Sequence, residues 1–181
     1  AYVWNIEQNK QVAVLPHNEV YGLDVSRDSK FLATAGWDQM LRIWDLVTGD
    51  LVREIAVKDA LKDDPNSDLR MYGVKFSPDG NHFAAVHMDG KISIWNLNDD
   101  TVPTLDHYFQ CDTRFVFGAI AYSPDGFWIA CGLGDSNVRI YDVQSGDELF
   151  HVGSHPDQVY TLGFGADKRT LVSGGGGISY L

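Results

Sequence analysis

At 181 residues, with 44% hydrophobic and 12% aromatic residues, the chain is long and apolar enough to bury a core and does not have the composition of a disordered tail. Its formal charge of −11, from 25 acidic and 14 basic residues, disfavours direct binding of nucleic-acid phosphates and favours basic segments of other proteins or peptides. Cys111 and Cys131 form neither a disulfide framework nor a CxxC pair, no apolar run approaches the roughly 20 residues that span a bilayer, and no signal peptide is visible, so no membrane role and an intracellular, cytoplasmic or nuclear, setting are expected.

Apolar and polar residues alternate over short runs bounded by Gly, Pro, Asp and Ser, the pattern of half-buried strands joined by tight hairpins. In chain order the strands are predicted at 2–6, 11–15, 20–25, 31–35, 40–45 and 51–56. A polar, acidic, proline-containing stretch from Lys58 to Leu69 then reads as a long surface loop. Strands resume at 71–76, 82–86, 91–96 and 102–106, and Asp106 to Arg114 reads as a second, shorter loop. The last strands are predicted at 117–122, 127–131, 137–142, 148–152, 159–164 and 170–173, with Ile178 to Leu181 resembling one more. No segment holds a sustained helical period. Ser77-Pro78-Asp79-Gly80 and Ser123-Pro124-Asp125-Gly126 are turn sequences, since Pro presets φ, Asp bonds nearby backbone and Gly accepts positive φ.

The strands group into repeats. An Asp is followed six residues later by an aromatic in Asp38–Trp44, Asp89–Trp95 and Asp135–Tyr141, with spacings of 51 and then 46 between the Asp residues. The copies read GLDVSRDSKFLATAGWDQMLRIWDL, GVKFSPDGNHFAAVHMDGKISIWNL and AIAYSPDGFWIACGLGDSNVRIYDV, and TLGFGADKRTLVSGGGGISYL begins a fourth. Self-similarity at this period implies stacked units rather than one continuous core. The repeat resembles the WD-repeat family of β-propellers. That resemblance implies an all-β fold of four-stranded antiparallel blades, about four of them represented here, within a propeller of about seven. The expected division of residues 1–181 is a partial blade at 1–15, blades at 20–56, 71–106 and 117–152, and a partial blade at 159–181. YVWNI (Tyr2 to Ile6) matches the closing strands LRIWDL and KISIWNL, so the chain is expected to enter in mid-repeat as a segment of a longer polypeptide. Closure of the ring on itself, with the first hairpin completing the last blade, is the alternative.

The resemblance also implies a structural tetrad of hydrogen-bonded residues within a blade, carried over by spacing to His17, Thr34, Asp38 and Trp44. A buried Asp needs donors, which His and a hydroxyl supply, and an indole N–H needs an acceptor. The other repeats keep parts of the set. The second has Asp89 and Trp95 but Ala85 in the hydroxyl position, and the third has Asp135 and Tyr141 with Cys131 there. The fourth has His155 and Ser173, then Gly177 where Asp is expected. His, hydroxyl and Asp are also the residue types of a hydrolase triad. Their recurrence at structural spacing, followed by Trp, points to buried structural roles, so no catalytic residue is expected. His82 and His87 lie on opposite faces of a strand, no Cys/His set has zinc spacing, and Gly174 to Gly177 lacks the Lys of a phosphate loop. Neither metal nor cofactor is expected.

Propellers of this family bind partners over the face where the second strand of a blade turns into the third. On it lie the residues before each marker Asp, which are Trp37, Met88 (with His87 beside it) and Gly134. Those before each first strand are Glu19, Arg70, Arg114 with Val116, and Gln158. Trp37 is the sharpest partner-binding candidate, because Trp and Arg dominate binding hot spots. Packing against a neighbouring loop is its other reading. The function expected is a non-catalytic scaffold or adaptor subunit of a multiprotein complex. The alternatives are a reader of a short basic or modified peptide at the propeller face, or the substrate-positioning part of a larger enzyme.

Overall fold

The computed structural model describes residues 1–61, 67–98, 103–111, 119–132 and 134–176. Strands β1 (Tyr2–Asn5) and β2 (Lys10–Val14) form a hairpin. Strands β3 (Val20–Val25), β4 (Phe31–Gly36), β5 (Met40–Asp45) and β6 (Leu51–Ala56) follow as an antiparallel sheet in that order, ended by one helical turn, α1 (Val57–Ala60). The next sheet holds β7 (Met71–Phe76), β8 (His82–His87), β9 (Lys91–Asn96) and β10 (Thr104–Gln110). The third holds β11 (Ile120–Tyr122), β12 (Trp128–Gly132), β13 (Asn137–Asp142) and β14 (Glu148–Ser154), and β15 (Val159–Phe164) with β16 (Leu171–Gly175) closes the order as a second hairpin. The described chain is a partial β-propeller of four-stranded blades.

Alternation along each second strand decides the packing, because its two faces meet two different neighbours. In β8, Phe83 and Ala85 join a core with Ala33, Ile43 and Val57 of the preceding blade. Ala84 and Val86 instead join Ile120, Ile129 and Tyr141 of the following one. The same parity puts Leu32 and Trp44 against the first hairpin, through Val3 and Ala13. Innermost strands come closest at Gly22 and Gly73, where a Cβ on Gly22 would lie 2.7 Å from the Gly73 Cα.

Two expectations need correction, and the alternative of ring closure is not realised among the described residues. The segment 106–110 is strand rather than loop: β10 continues past a bulge between Leu105 and His107, and Tyr108 and Phe109 pack on the two flanking cores. The stretch after β6 does not leave the surface of the blade freely, since it begins as α1 and both Leu61 and Leu69 are buried in the core. Their apolar side chains at the two ends outweigh the polar middle, of which 62–66 lie outside the described residues. The first and last hairpins stay separate two-stranded sheets, so β1–β2 does not complete the β15–β16 blade. Their outward faces show why. Trp4, in the register of Trp44, is 60% exposed, and Val172 is 65% exposed, each on the side where a further blade would pack. The strand expected at 178–181 and the start of the one expected at 117–122 lie outside the described residues.

Gly22→Ala should destabilise the fold by about 1–3 kcal/mol, because the new methyl meets backbone that cannot rotate away. Urea unfolding of the variant beside the parent checks this, and equal midpoints would refute the close approach.

Candidate functional site

Around the turn from β4 to β5 a polar set comes together from His17, Thr34, Asp38 and Trp44. His17 Nδ1 lies 2.6 Å from Thr34 Oγ1, His17 Nε2 lies 3.0 Å from Asp38 Oδ1, and the Trp44 indole donates to Thr34 Oγ1 at 2.9 Å. Because Asp38 only accepts, Nε2 carries the proton, and the Thr34 hydroxyl donates to Nδ1. Burial holds the His17 imidazole below its usual pKa despite the attraction of Asp38. Gly36 makes room for that ring, since a Cβ there would lie 2.6 Å from His17 Nε2. The Asp is less enclosed than expected, 28% exposed at its side chain, because Arg42 reaches it from β5 at 2.7 Å while also donating to Glu54 at 2.6 Å. Burial works to raise the Asp38 pKa, but hydrogen bonds from Arg42 and His17 outweigh it and hold the carboxyl low. The set has triad residue types without triad chemistry. Thr34 is fully buried and its oxygen is already an acceptor for Trp44.

The next blade builds the same connection from residues that sequence reasoning missed. His87, at the position of Gly36, is fully buried rather than at the rim. Its Nε2 lies 2.7 Å from Ser93 Oγ, and the Trp95 indole donates to that same Oγ at 2.8 Å. Ser93 is the cross-strand partner of Ala85, as Arg42 is of Thr34. The hydroxyl has therefore moved one strand over while staying at the same point of the blade. Asp89 is left to Lys91, 3.2 Å away. The signal was a serine two residues before the marker Trp, legible only with the strand register in hand. In the third blade the Tyr141 hydroxyl donates to the Cys111 carbonyl at 2.7 Å, and Arg139 joins that carbonyl at 2.9 Å to Asp135 at 2.7 Å. The Cys111 and Cys131 side chains meet there, sulfur to sulfur, at 4.0 Å. In the last hairpin His155 Nε2 lies 2.7 Å from Ser173 Oγ, and the expected Asp position, Gly177, lies outside the described residues.

Among the rim candidates the structure brings Trp37 and Arg70 together. Tyr21 stacks on the Trp37 ring at 4.5 Å, Tyr72 meets it edge-on at 5.8 Å, and the Arg70 guanidinium lies over it at 4.8 Å. Asp68 holds Arg70 through two bonds of 2.8 and 2.5 Å, which raise the guanidinium pKa. Glu19 is exposed nearby, and its carbonyl accepts the Trp37 amide at 3.1 Å. Met88 is half-buried and tied to Arg70 by a 2.8 Å backbone bond. Gln158 stands apart on the last hairpin, accepting from the Tyr160 hydroxyl at 3.1 Å. Arg114 and Val116 lie outside the described residues. Among the described residues no group of three or more His, Cys, Asp or Glu side chains is placed to hold a metal ion, and no helix is long and apolar enough to cross a membrane.

Comparison with known proteins agrees with this geometry. The family described as WD domain, G-beta repeat matches residues 9–45 and 64–96, and the Anaphase-promoting complex subunit 4 WD40 domain matches 110–167. The chain is 24% identical over 177 residues to the WD repeat-containing protein 91 homolog of Dictyostelium discoideum, an alignment covering 94% of this chain and 22% of that protein. With the small ribosomal subunit protein RACK1 of Caenorhabditis elegans it shares 25% identity over 154 residues, 79% of this chain and 42% of that protein. It thus spans less than half the length of either relative.

Ser93→Ala should cost about 2–3 kcal/mol, since it leaves two buried donors or acceptors, on His87 and Trp95, without a partner. Adding Ala85→Ser, which returns a hydroxyl to the facing position, should recover part of that loss in denaturant unfolding. A single variant as stable as the parent would refute the relocated bond. Stability should also depend on pH. His17 and His87 are both held below their ordinary value of 6.5 by burial, His87 with Asp89 opposing and Lys91 assisting. The unfolded chain takes up protons there that the folded one does not. Stability is therefore full above about pH 6.5 and falls as the pH drops toward about 4, the value to which His87 is lowered. Melting curves at both ends of that window test the sign, and His87→Gln should flatten the fall.

Proposed function

We propose, from the premise that this chain belongs to the WD-repeat family, that it serves as a rigid, non-catalytic scaffold that holds other proteins in a complex. One observation carries the reading: the His and hydroxyl side chains of the triad-like sets are spent inside the blades. His17, Thr34 and Asp38 end on a tryptophan, and so do His87 and Ser93. What remains for function is surface. That surface is strongly acidic, with 25 carboxylates against 14 basic residues, so the partners are basic segments of proteins rather than nucleic acid or membrane. A reducing, intracellular setting belongs to this reading, in keeping with two cysteines and no CxxC pair.

Trp37 with Arg70, Tyr21 and Glu19 forms the rim contact in this reading, with Met88 beside it. A rigid aromatic cluster shared between two blades gives large contact area at little entropic cost. The alternative of a cation reader at Trp37 is disfavoured, because Arg70 of the same chain already lies over the indole. An incoming ammonium would have to displace it. Gln158 extends the same face in the proposal without joining the cluster, and Arg114 stays a candidate from the sequence alone.

Affinity purification of the tagged endogenous protein, wild type beside Trp37→Ala and Glu19→Lys, tests it. Stable protein partners should appear with the wild type, and at least one should be lost in both variants. Partners unchanged in both would remove this rim from the account. An absence of partners with the wild type would refute the scaffold reading.

A further inference from the structure

On the face opposite Trp37, the turns β7–β8, β11–β12 and β13–β14 meet strand β10 around a cleft of about 270 Å³ between two blades. Its floor is apolar, from Ile94 and Val143, and Phe127 stands beside it, 69% exposed. Three carboxylates line it: Asp79, Asp106 and Asp125. Among the described residues the basic groups near them are Lys168 and His82, with His107 also in the lining. Lys168 lies 3.5 Å from Asp125 and is 54% exposed, and His82 lies 3.1 Å from Asp106 and 3.9 Å from Asp79.

Tyr122 supplies the second observation. It lines the cleft, and its hydroxyl is buried with no hydrogen-bond partner among the described residues. An orphaned buried hydroxyl costs about 1–3 kcal/mol, so a group that satisfies it on binding gains a corresponding advantage. Burial pushes the phenol pKa up, and the charges of Asp79 and Asp106 push it further, so the oxygen keeps its proton and can both donate and accept.

We infer that this cleft receives an arginine side chain from a partner segment. Its apolar stem lies along Ile94, Val143 and the Phe127 ring, and its guanidinium faces Asp79, Asp106 and the Tyr122 hydroxyl. Arginine fits better than lysine because a planar head with five donors can serve two carboxylates and a hydroxyl at once, and loses less hydration on entry. The inference deepens the scaffold reading and rests on it, but it places a contact on the other face of the propeller.

The test is photo-crosslinking of the intact protein. The probe is a capped Gly-Ser-Arg-Ser-Gly peptide carrying a benzophenone beside the arginine, with a citrulline twin of the same shape and no charge. Cross-linked residues are mapped by peptide mass spectrometry. The arginine peptide should label the turns at 77–82 and 124–128, and exceed its twin by about fivefold or more. Asp106→Asn should cut that labelling by a similar factor, as should Phe127→Ser, whose exposed position leaves the fold intact. Labelling elsewhere, equal labelling by the twin, or labelling indifferent to both variants overturns the proposal. The two readings fail separately. Cleft labelling in a protein that captures no partner would sink the scaffold and keep the site, whereas captured partners without cleft labelling would do the reverse.

Discussion

No blade of this protein has a core of its own. The second strands β4, β8 and β12 are buried on both faces, so their even and odd residues belong to different neighbours, as Phe83 and Ala84 do. The marker aromatics follow from this. Trp44, Trp95 and Tyr141 all face the preceding unit, where Leu32, Phe83 and Ile129 accompany them on the second strand. Stability in such an arrangement is a sum of neighbour contacts, and whatever blade stands last in an arc shows an apolar face. Trp4 and Val172 are those faces, and their exposure is a consequence of the parity rule rather than an exception to it.

The hydrogen-bonded sets obey a spatial rule that only partly coincides with a sequence rule. In the first two four-stranded blades a hydroxyl stands between an imidazole and an indole, and either of two facing strand positions can supply it. Where β4 supplies it, as Thr34, the His comes from the loop before the blade and needs the absent side chain of Gly36. In the other solution β9 supplies it, as Ser93, and the His grows from the strand end itself at the position Gly36 vacates. The first solution was legible through the family resemblance, carried over to these residues by spacing. The second was not, because Ala85 and Ser93 are eight residues apart in the chain and become neighbours only through the register of two strands.

The same distinction runs through the rest of the reading. Period-two alternation placed β3, β5, β6, β7, β9, β13 and β15 at their observed bounds, since local pattern and burial agree there. It failed along β10, where Asp106 and His107 break the alternation at a bulge, and around α1, where buried Leu61 and Leu69 flank a polar stretch. Surface sites were the least legible of all. Trp37 announces itself in the sequence, but that Arg70 covers it depends on two blades meeting. The cleft at Tyr122 draws its walls from residues between 77 and 144.

Those walls owe their charge to the fold itself. In the Ser-x-Asp turns, one carboxylate oxygen locks the backbone: Asp125 Oδ1 accepts from the Ser123 hydroxyl at 2.7 Å and the Phe127 amide at 3.3 Å. Asp79 Oδ1 accepts from the Ser77 hydroxyl and, at 3.0 Å, from the Asn81 amide. Asp28 does the same with Ser26 at 2.7 Å and the Lys30 amide at 3.1 Å. The serine bond leads in holding Asp28 and Asp125 below the usual carboxylate range, and at Asp79 it helps to overcome burial, which works the other way. The second oxygen is left to face outward at the blade boundary, where it takes Lys168, Asn81 or Lys30. A residue chosen to close a hairpin thus also sets the potential of the groove between blades. Removing that potential at Asp79 or Asp125 would loosen a turn as well, whereas Asp106, which closes no hairpin, tunes the groove without that cost. Of the three carboxylates, it is the one whose identity the fold does not dictate.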